Sequence, residues 1–325
     1  MRQHNVKINR VRQVMDKMGL LLVLLVFIIV MTCLTPSFLT WNNIRNLLIQ
    51  STILCTLSLG MTFVIITGGM DLSVGSVEAL AAAVGMGVIV KAGMPSAVGI
   101  LVILLIGIVF GVINGLLVTQ FRIPPMIVTL ATMSIARGIV QVYTNGANIG
   151  PVPRSFTVLT GFYLLGIPLI VWTVLILCVA AWICLSKTSF GRSVYAVGGS
   201  ELAAKLAGIR TKRVIVLTYV ISGLCAAVAG LLLSIRLESA GPNAGDGVEM
   251  NAIAAVVVGG TSLSGGRGTV LGTVLGVILI SFVSNAVNLL GVPPAWDKIV
   301  KGVVIVIAAM LDANRNRWSQ QAGAN

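Results

Sequence analysis

Ten apolar runs separated by short polar breaks decide the solvent in which this chain folds. They begin with Gly19 to Cys33 and continue at about 47–67, 74–90, 97–119, 125–143, 163–185, 214–234, 251–266, 269–290 and 298–311, the weakest being 251–266. About 20 apolar residues in an α-helix cross the hydrocarbon core of a bilayer, and most of these runs approach that length. With 57% hydrophobic residues, 10% charged residues and a mean hydropathy of +1.03, no water-soluble core could hide the apolar surface. The expected fold class is therefore an all-α polytopic transmembrane bundle of about ten spans over residues 19–311. A basic tail, 1–18, precedes it and a second tail, 312–325, follows.

Charge sets the orientation. The net charge is +13, and the basic residues gather at the ends of apolar runs, where they act as topology determinants and as contacts for anionic lipid rather than for nucleic acid. Residues 1–18 carry Arg2, Lys7, Arg10, Arg12 and Lys17 against Asp16. The first run ends without a cleavage pattern, so it reads as an uncleaved helix with a cytoplasmic amino terminus. Six runs later comes the strongest basic loop, 187–213, with Lys187, Arg192, Lys205, Arg210, Lys212 and Arg213 against Glu201. Four more runs return the chain to the cytoplasm, where Arg315 and Arg317 stand. The acidic loop 236–251 (Glu238, Asp246 and Glu249 against Arg236) and the Gly/Pro/Asn-rich loop 144–162 then face outward.

Inside the basic loop, Ser200 is placed to cap a short helix from Glu201 to Ala207 that Gly208 stops. Glu201 stands at i,i+4 from Lys205, and Leu202 and Leu206 share a face. Such a helix either lies on headgroups or fills a socket in a cytoplasmic partner.

Two glycine-rich stretches resemble each other, GGMDLSVGS from Gly68 and GGTSLSGGR from Gly259, and each is followed by a proline pair, Pro124/Pro125 or Pro293/Pro294. This faint internal repeat matches the duplicated halves common in transporters. In the first copy Asp71 directly follows a span. A carboxylate at the bilayer centre costs about 2.5–3.5 kcal/mol on insertion scales, so it must face protein or a water-filled path. Either Asp71 caps the helix that starts near Ser73, with Glu78 further along, or the stretch lines a pathway or gate. Gly68, Gly69, Asp71, Ser73, Asn114, Gly259, Gly260, Ser264 and Asn285 are the candidate pathway residues. Asn145 and Asn288 are further polar candidates, each equally able to bond a neighbouring helix. Arg137, well inside a run, either snorkels outward or pairs with a carboxylate such as Asp71. Glycines at 107, 111 and 115, and at 268, 272 and 276, recur every four residues as close-packing seams.

The absences narrow the function. No G-x-x-x-x-G-K-[ST] phosphate cradle occurs, and no H-E-x-x-H or G-x-S-x-G motif. The five cysteines (33, 55, 178, 184 and 225) lack metal-ligand or disulfide spacing and read as small core residues, and His4 is the one histidine. Neither an enzyme nor a cofactor-binding protein is supported.

The stretches GMTFVIITGGMDLSVGS, GRSVYAVGGSELAAKLAGI, NAIAAVVVGGTSLSGGRGTVLGT and NLLGV, in that order, resemble the membrane-spanning permease subunit of ribose-type monosaccharide ATP-binding-cassette importers, over about 40–311. The resemblance implies a ten-helix permease of the bacterial inner membrane that pairs with a second copy. It further implies a cytoplasmic ATPase that binds ATP and magnesium, a periplasmic sugar-binding protein and a monosaccharide substrate. The family's coupling segment matches Gly191 to Ile209, giving Gly191, Ser200, Glu201, Leu202, Ala203, Ala204, Leu206, Gly208 and Ile209 as the expected ATPase contact. Ser200 stands where many relatives are expected to carry Asn. The contrasting expectation is an ion-coupled secondary transporter in which Asp71 and Glu78 bind a proton or sodium ion.

Overall fold

The computed structural model describes residues 19–153, 162–293 and 295–322. The tail 1–18, Pro294, residues 323–325 and residues 154–161 of the expected outer loop lie outside them. In chain order the helices are α1 (Gly19–Leu34), α2 (Trp41–Ile66), α3 (Val74–Val90), α4 (Ser96–Gln120) and α5 (Pro125–Thr144). A small hairpin, β1 (Tyr163–Leu164) and β2 (Ile167–Pro168), leads into α6 (Leu169–Lys187). Two short helices follow, α7 (Ser189–Gly199) and α8 (Glu201–Leu206), and then α9 (Thr211–Leu237), α10 (Val248–Val258), α11 (Val270–Leu289) and α12 (Ala295–Ala322).

Six of these (α2, α4, α5, α6, α9 and α11) are long and apolar enough to cross a membrane, while α1, α3 and α10 are shorter apolar helices. Several sequence boundaries move, and three of the shifts change what an element is or how far it reaches. The run 163–185 does not begin as a helix, because Leu165 and Gly166 both take positive φ (53° and 77°) and turn residues 163–168 into a hairpin. The run 251–266 holds a helix of only 11 residues, begun earlier at Val248 and closed by Gly260 at φ +87°. The last helix continues past 311 to Ala322, so most of the expected tail 312–325 prolongs it.

Helix α2 is the axis of the bundle. From Thr52 to Ile66 it is almost wholly buried, and α3 is buried on nearly every side, whereas α6 lies largely exposed at the rim. An α-helix buried all round needs no amphipathic pattern, which is why α2 and α3 read simply as apolar in sequence. On α4 the stripe Leu101, Leu105 and Val109 is exposed, consistent with hydrocarbon as its solvent, and the opposite face carries Gly107, Gly111 and Gly115.

Those glycines make the tightest long seam. A Cβ on Gly107 would overlap the Gly223 carbonyl of α9, one on Gly111 would meet Val220 Cα at 2.6 Å, and one on Gly115 would meet Val216 Cα at 2.7 Å. Glycine permits this approach, and the gain is backbone dispersion contact where no hydrophobic drive operates between helices. The second seam behaves alike for Gly272 and Gly276, which face Gly259 and Ala255 of α10, whereas Gly268 precedes α11 and packs on Ile66 and Thr261. Gly223→Val is expected to force the α4–α9 crossing apart and cost about 3 kcal/mol or more, as overpacking does. A thermal melt in detergent should show it, while Gly138→Ala, which meets nothing within 4 Å, should leave the melt unchanged.

Candidate functional site

Two interrupted helices and the elbow formed by the two short helices after α6 carry the candidate residues. Helix α2 ends in a Schellman turn: Gly68 has φ +80°, its N–H donates to Ile65 O at 2.9 Å, and Gly69 N–H donates to Val64 O at 3.0 Å. Helix α10 ends in the same way, with Gly260 N–H on Val257 O at 2.9 Å and Thr261 N–H on Val256 O at 3.1 Å. The equivalent positions are therefore Gly68 and Gly260, one residue out of step with the sequence likeness that pairs Gly68 with Gly259.

Beyond Gly69 the chain crosses to α3 through Asp71, which is 1% exposed. Its Oδ1 accepts from Ser73 N–H at 3.0 Å and from the Ser73 hydroxyl at 2.6 Å, and its Oδ2 accepts from the Ser222 hydroxyl of α9 at 2.7 Å. Asn114 of α4 donates from Nδ2 to Ser73 Oγ at 2.9 Å, and the Thr132 hydroxyl of α5 donates to Asn114 Oδ1 at 2.8 Å. Tyr219 donates its phenolic proton to Met70 O at 3.2 Å. The carboxylate thus closes the turn that leads into α3, at the N–H of the N-cap residue Ser73, and the network ties α4, α5 and α9 to the break. Non-helical backbone inside a membrane protein persists only where protein groups satisfy it, and this network does so.

The other pathway candidates separate. Asn285 lies with Asn43 at the far end of α2, in a reciprocal pair: Asn285 Nδ2 to Asn43 Oδ1 at 2.8 Å, and Asn43 Nδ2 to Asn285 Oδ1 at 3.0 Å. That is a clamp between α2 and α11, away from Asp71. Gly259 packs on Gly272, and Ser264 stands in the turn after α10, its N–H donating to Ser262 Oγ at 3.3 Å. Arg137 neither pairs with Asp71 nor points away: Nη1 donates to Pro242 O at 2.6 Å and Ala244 O at 2.7 Å, pinning the loop after α9. Glu78 is fully buried in α3, with Arg137 and Glu249 as its charged neighbours. Asp71 is bonded by Ser73 and Ser222, whereas neither Glu78 oxygen has a hydrogen-bond partner among the described residues, so the two carboxylates share no ligand and the ion-coupled expectation gains no support.

At the elbow, Thr188 Oγ1 accepts from Gly191 N–H at 3.0 Å and starts α7, and a Cβ on Gly191 would strike the Cys184 and Leu185 carbonyls. Ser200 then caps α8 by accepting from Ala203 N–H at 3.2 Å, and Gly208 (φ +82°) closes it with a further Schellman turn. Glu201 does not pair with Lys205; its Oε1 accepts the Thr211 hydroxyl at 3.1 Å, which fastens α8 to the start of α9. Leu202 and Leu206 are 71% and 81% exposed, Ala203 is exposed, and Ala204 is buried. Ile209 turns inward against the main core, not outward with the two leucines.

Sequence reading missed Ser222, Tyr219 and Thr132, because an isolated hydroxyl in an apolar run announces no partner. It also missed Tyr195 of α7, whose hydroxyl donates to Gly268 O at 2.8 Å and whose phenol burial holds above its ordinary pKa. The Gly198–Gly199 and Gly265–Gly266 pairs were the legible signal for close backbone approach there. Asp71→Ala strands two hydroxyls and one N–H and is expected to cost about 3 kcal/mol, within the range for buried unsatisfied groups. Combined with Asn114→Ala in a double-mutant cycle read by thermal unfolding, the two losses should be clearly less than additive.

A family model described as the branched-chain amino acid transport system / permease component matches residues 43–309. The chain is 47% identical over 305 residues to the ribose import permease protein RbsC of Bacillus subtilis (strain 168), covering 93% of this chain and 94% of that protein. It is 42% identical over 299 residues to the ribose import permease protein RbsC of Escherichia coli (strain K12), covering 90% and 92%. It is 37% identical over 313 residues to the galactose/methyl galactoside import permease protein MglC of the same strain, covering 91% and 93%. No solved structure gives a significant match.

Proposed function

The chain belongs to the family of branched-chain amino acid transport system permease components, and on that premise we propose that it is the membrane subunit of an importer for ribose or a closely related monosaccharide, driven by ATP that a separate subunit hydrolyses. Its similarity to ribose import permeases along nearly the whole chain supports the substrate class. The observation that carries the energy input is α8. This six-residue helix is capped at both ends, fastened to α9 through Glu201, and presents Leu202 and Leu206 bare to solvent amid a basic loop.

An apolar ridge at a fixed angle on the cytoplasmic side suits a socket in an ATPase subunit, which would bind the ATP and magnesium. Ala204 and Ile209 hold the helix to the core, and Leu202 and Leu206, with Ala203, make the contact. The expected arrangement has ten spans with both termini cytoplasmic, and the glycine-closed helices α2 and α10 stand in equivalent places of two repeated halves. A second copy of the permease completes the path, and a periplasmic sugar-binding protein delivers the sugar to the outer loops. When ATP closes the ATPase pair, α8 moves and the two permease copies rock between outward and inward access. Selectivity for the sugar then rests largely with the binding protein.

The test is reconstitution in proteoliposomes with the ATPase and the binding protein. Uptake of labelled ribose should require ATP and both partners and should persist when ion gradients are collapsed. Leu206→Asp is expected to reduce ATPase retention on purified permease and ribose uptake at least about tenfold, since a charge in a desolvated hot spot costs more than 1.4 kcal/mol. Unchanged uptake in that variant would overturn the assignment of α8.

A further inference from the structure

Helix α7 meets the two glycine motifs through backbone, with no side chain between. A Cβ on Gly198 would overlap the Ile66 carbonyl at the end of α2 and would lie 2.5 Å from Gly266 N. Gly266 N–H donates to that same Ile66 carbonyl at 2.8 Å. A Cβ on Gly265 would stand 2.9 Å from Gly198 O and 3.0 Å from Gly68 N, and one on Gly266 would stand 3.0 Å from Gly199 Cα. Beside this junction the Tyr195 hydroxyl donates to Gly268 O at 2.8 Å, and Phe190 stacks on Phe63 of α2 with centroids 6.5 Å apart.

Two physical facts follow. The last carbonyl of α2 has no partner within its own helix, and an N–H from the far half of the chain answers it. Backbone in direct contact also has no rotamer with which to absorb a displacement, so a shift of α7 must be shared by its neighbours. Gly199 leads through Ser200 straight into α8, and Ile66 leads through Gly68 and Gly69 to Asp71.

We propose that the junction of Gly198 and Gly199 with Ile66 and Gly265–Gly266 transmits movement of α8 to both interrupted helices at once, and that Tyr195 is a positioning residue that keeps it engaged. This rests on α8 being the ATPase contact. The junction sets how much of the ATPase stroke reaches the breaks; it does not set whether the ATPase binds.

The experiment uses the complete transporter in proteoliposomes and measures ATP hydrolysed per ribose imported, with ATPase retention and thermal unfolding alongside. Tyr195→Phe removes one hydrogen bond and keeps the ring, and it should leave ATPase retention unchanged and lower the unfolding midpoint by no more than the loss of one hydrogen bond accounts for. The ATP consumed per ribose should rise about fivefold, the change in a two-state population that loss of about 1 kcal/mol produces. Gly198→Ala should raise it further; should that variant fail to fold, Tyr195→Phe decides alone. An unchanged ATP-to-ribose ratio in Tyr195→Phe overturns the proposal. Leu206→Asp separates the two readings: if it keeps both ATPase and uptake, the contact on α8 is wrong, whereas if it loses the ATPase while Tyr195→Phe remains fully coupled, only the junction is wrong.

Discussion

The structure depends on satisfying the backbone where helices stop inside an apolar bundle. A helix end leaves carbonyls and N–H groups without partners, and hydrocarbon offers none. At Gly68 and Gly260 the chain first solves this locally, with a left-handed glycine that returns two N–H groups to the preceding turn. What remains is met by other groups: the Ser73 N–H by Asp71 two residues before it, the Ile66 carbonyl by Gly266, and the Met70 carbonyl by Tyr219. The last two join segments far apart in sequence, so the breaks are also points where distant parts of the molecule are fastened.

That constraint explains why Asp71 and Arg137 are each shared among several partners. Asp71 would be costly alone, and with Ser73 and Ser222 as donors it becomes the centre of a network running on to Asn114 and Thr132. Arg137 does the same for the loop after α9 through the Pro242 and Ala244 carbonyls. Gly60 of α2 lets α9 approach so closely that a Cβ there would stand 2.8 Å from Ser222 Cα, and this approach accompanies the reach of Ser222 to Asp71 beyond the end of α2.

Much of the architecture was legible because its causes are local. The apolar runs each contain a helix, the seams at 107–115 face a partner helix, and α8 begins at its Ser200 cap and stops at Gly208. Propensity, capping and spacing act within a few residues. The misplaced boundaries have local causes of another kind: consecutive positive φ angles at Leu165 and Gly166, and an early glycine closure of α10, neither visible in mean hydropathy. Glu201 paired with Thr211 instead of Lys205, because α8 folds back on α9 and brings the hydroxyl within reach.

By itself the sequence determined the solvent, the helical class, the clustering of basic charge between apolar runs and the residue types that break or cap helices, since these follow from composition and short-range geometry. Only the tertiary structure decided which polar groups meet. Asp71 takes Ser222 and not Arg137, Asn285 takes Asn43 at the opposite end of α2, and Gly198 rests on Ile66 and Gly266. Those pairings are set by how whole helices cross, and a crossing is the joint outcome of contacts between segments up to hundreds of residues apart, which no window along the chain contains.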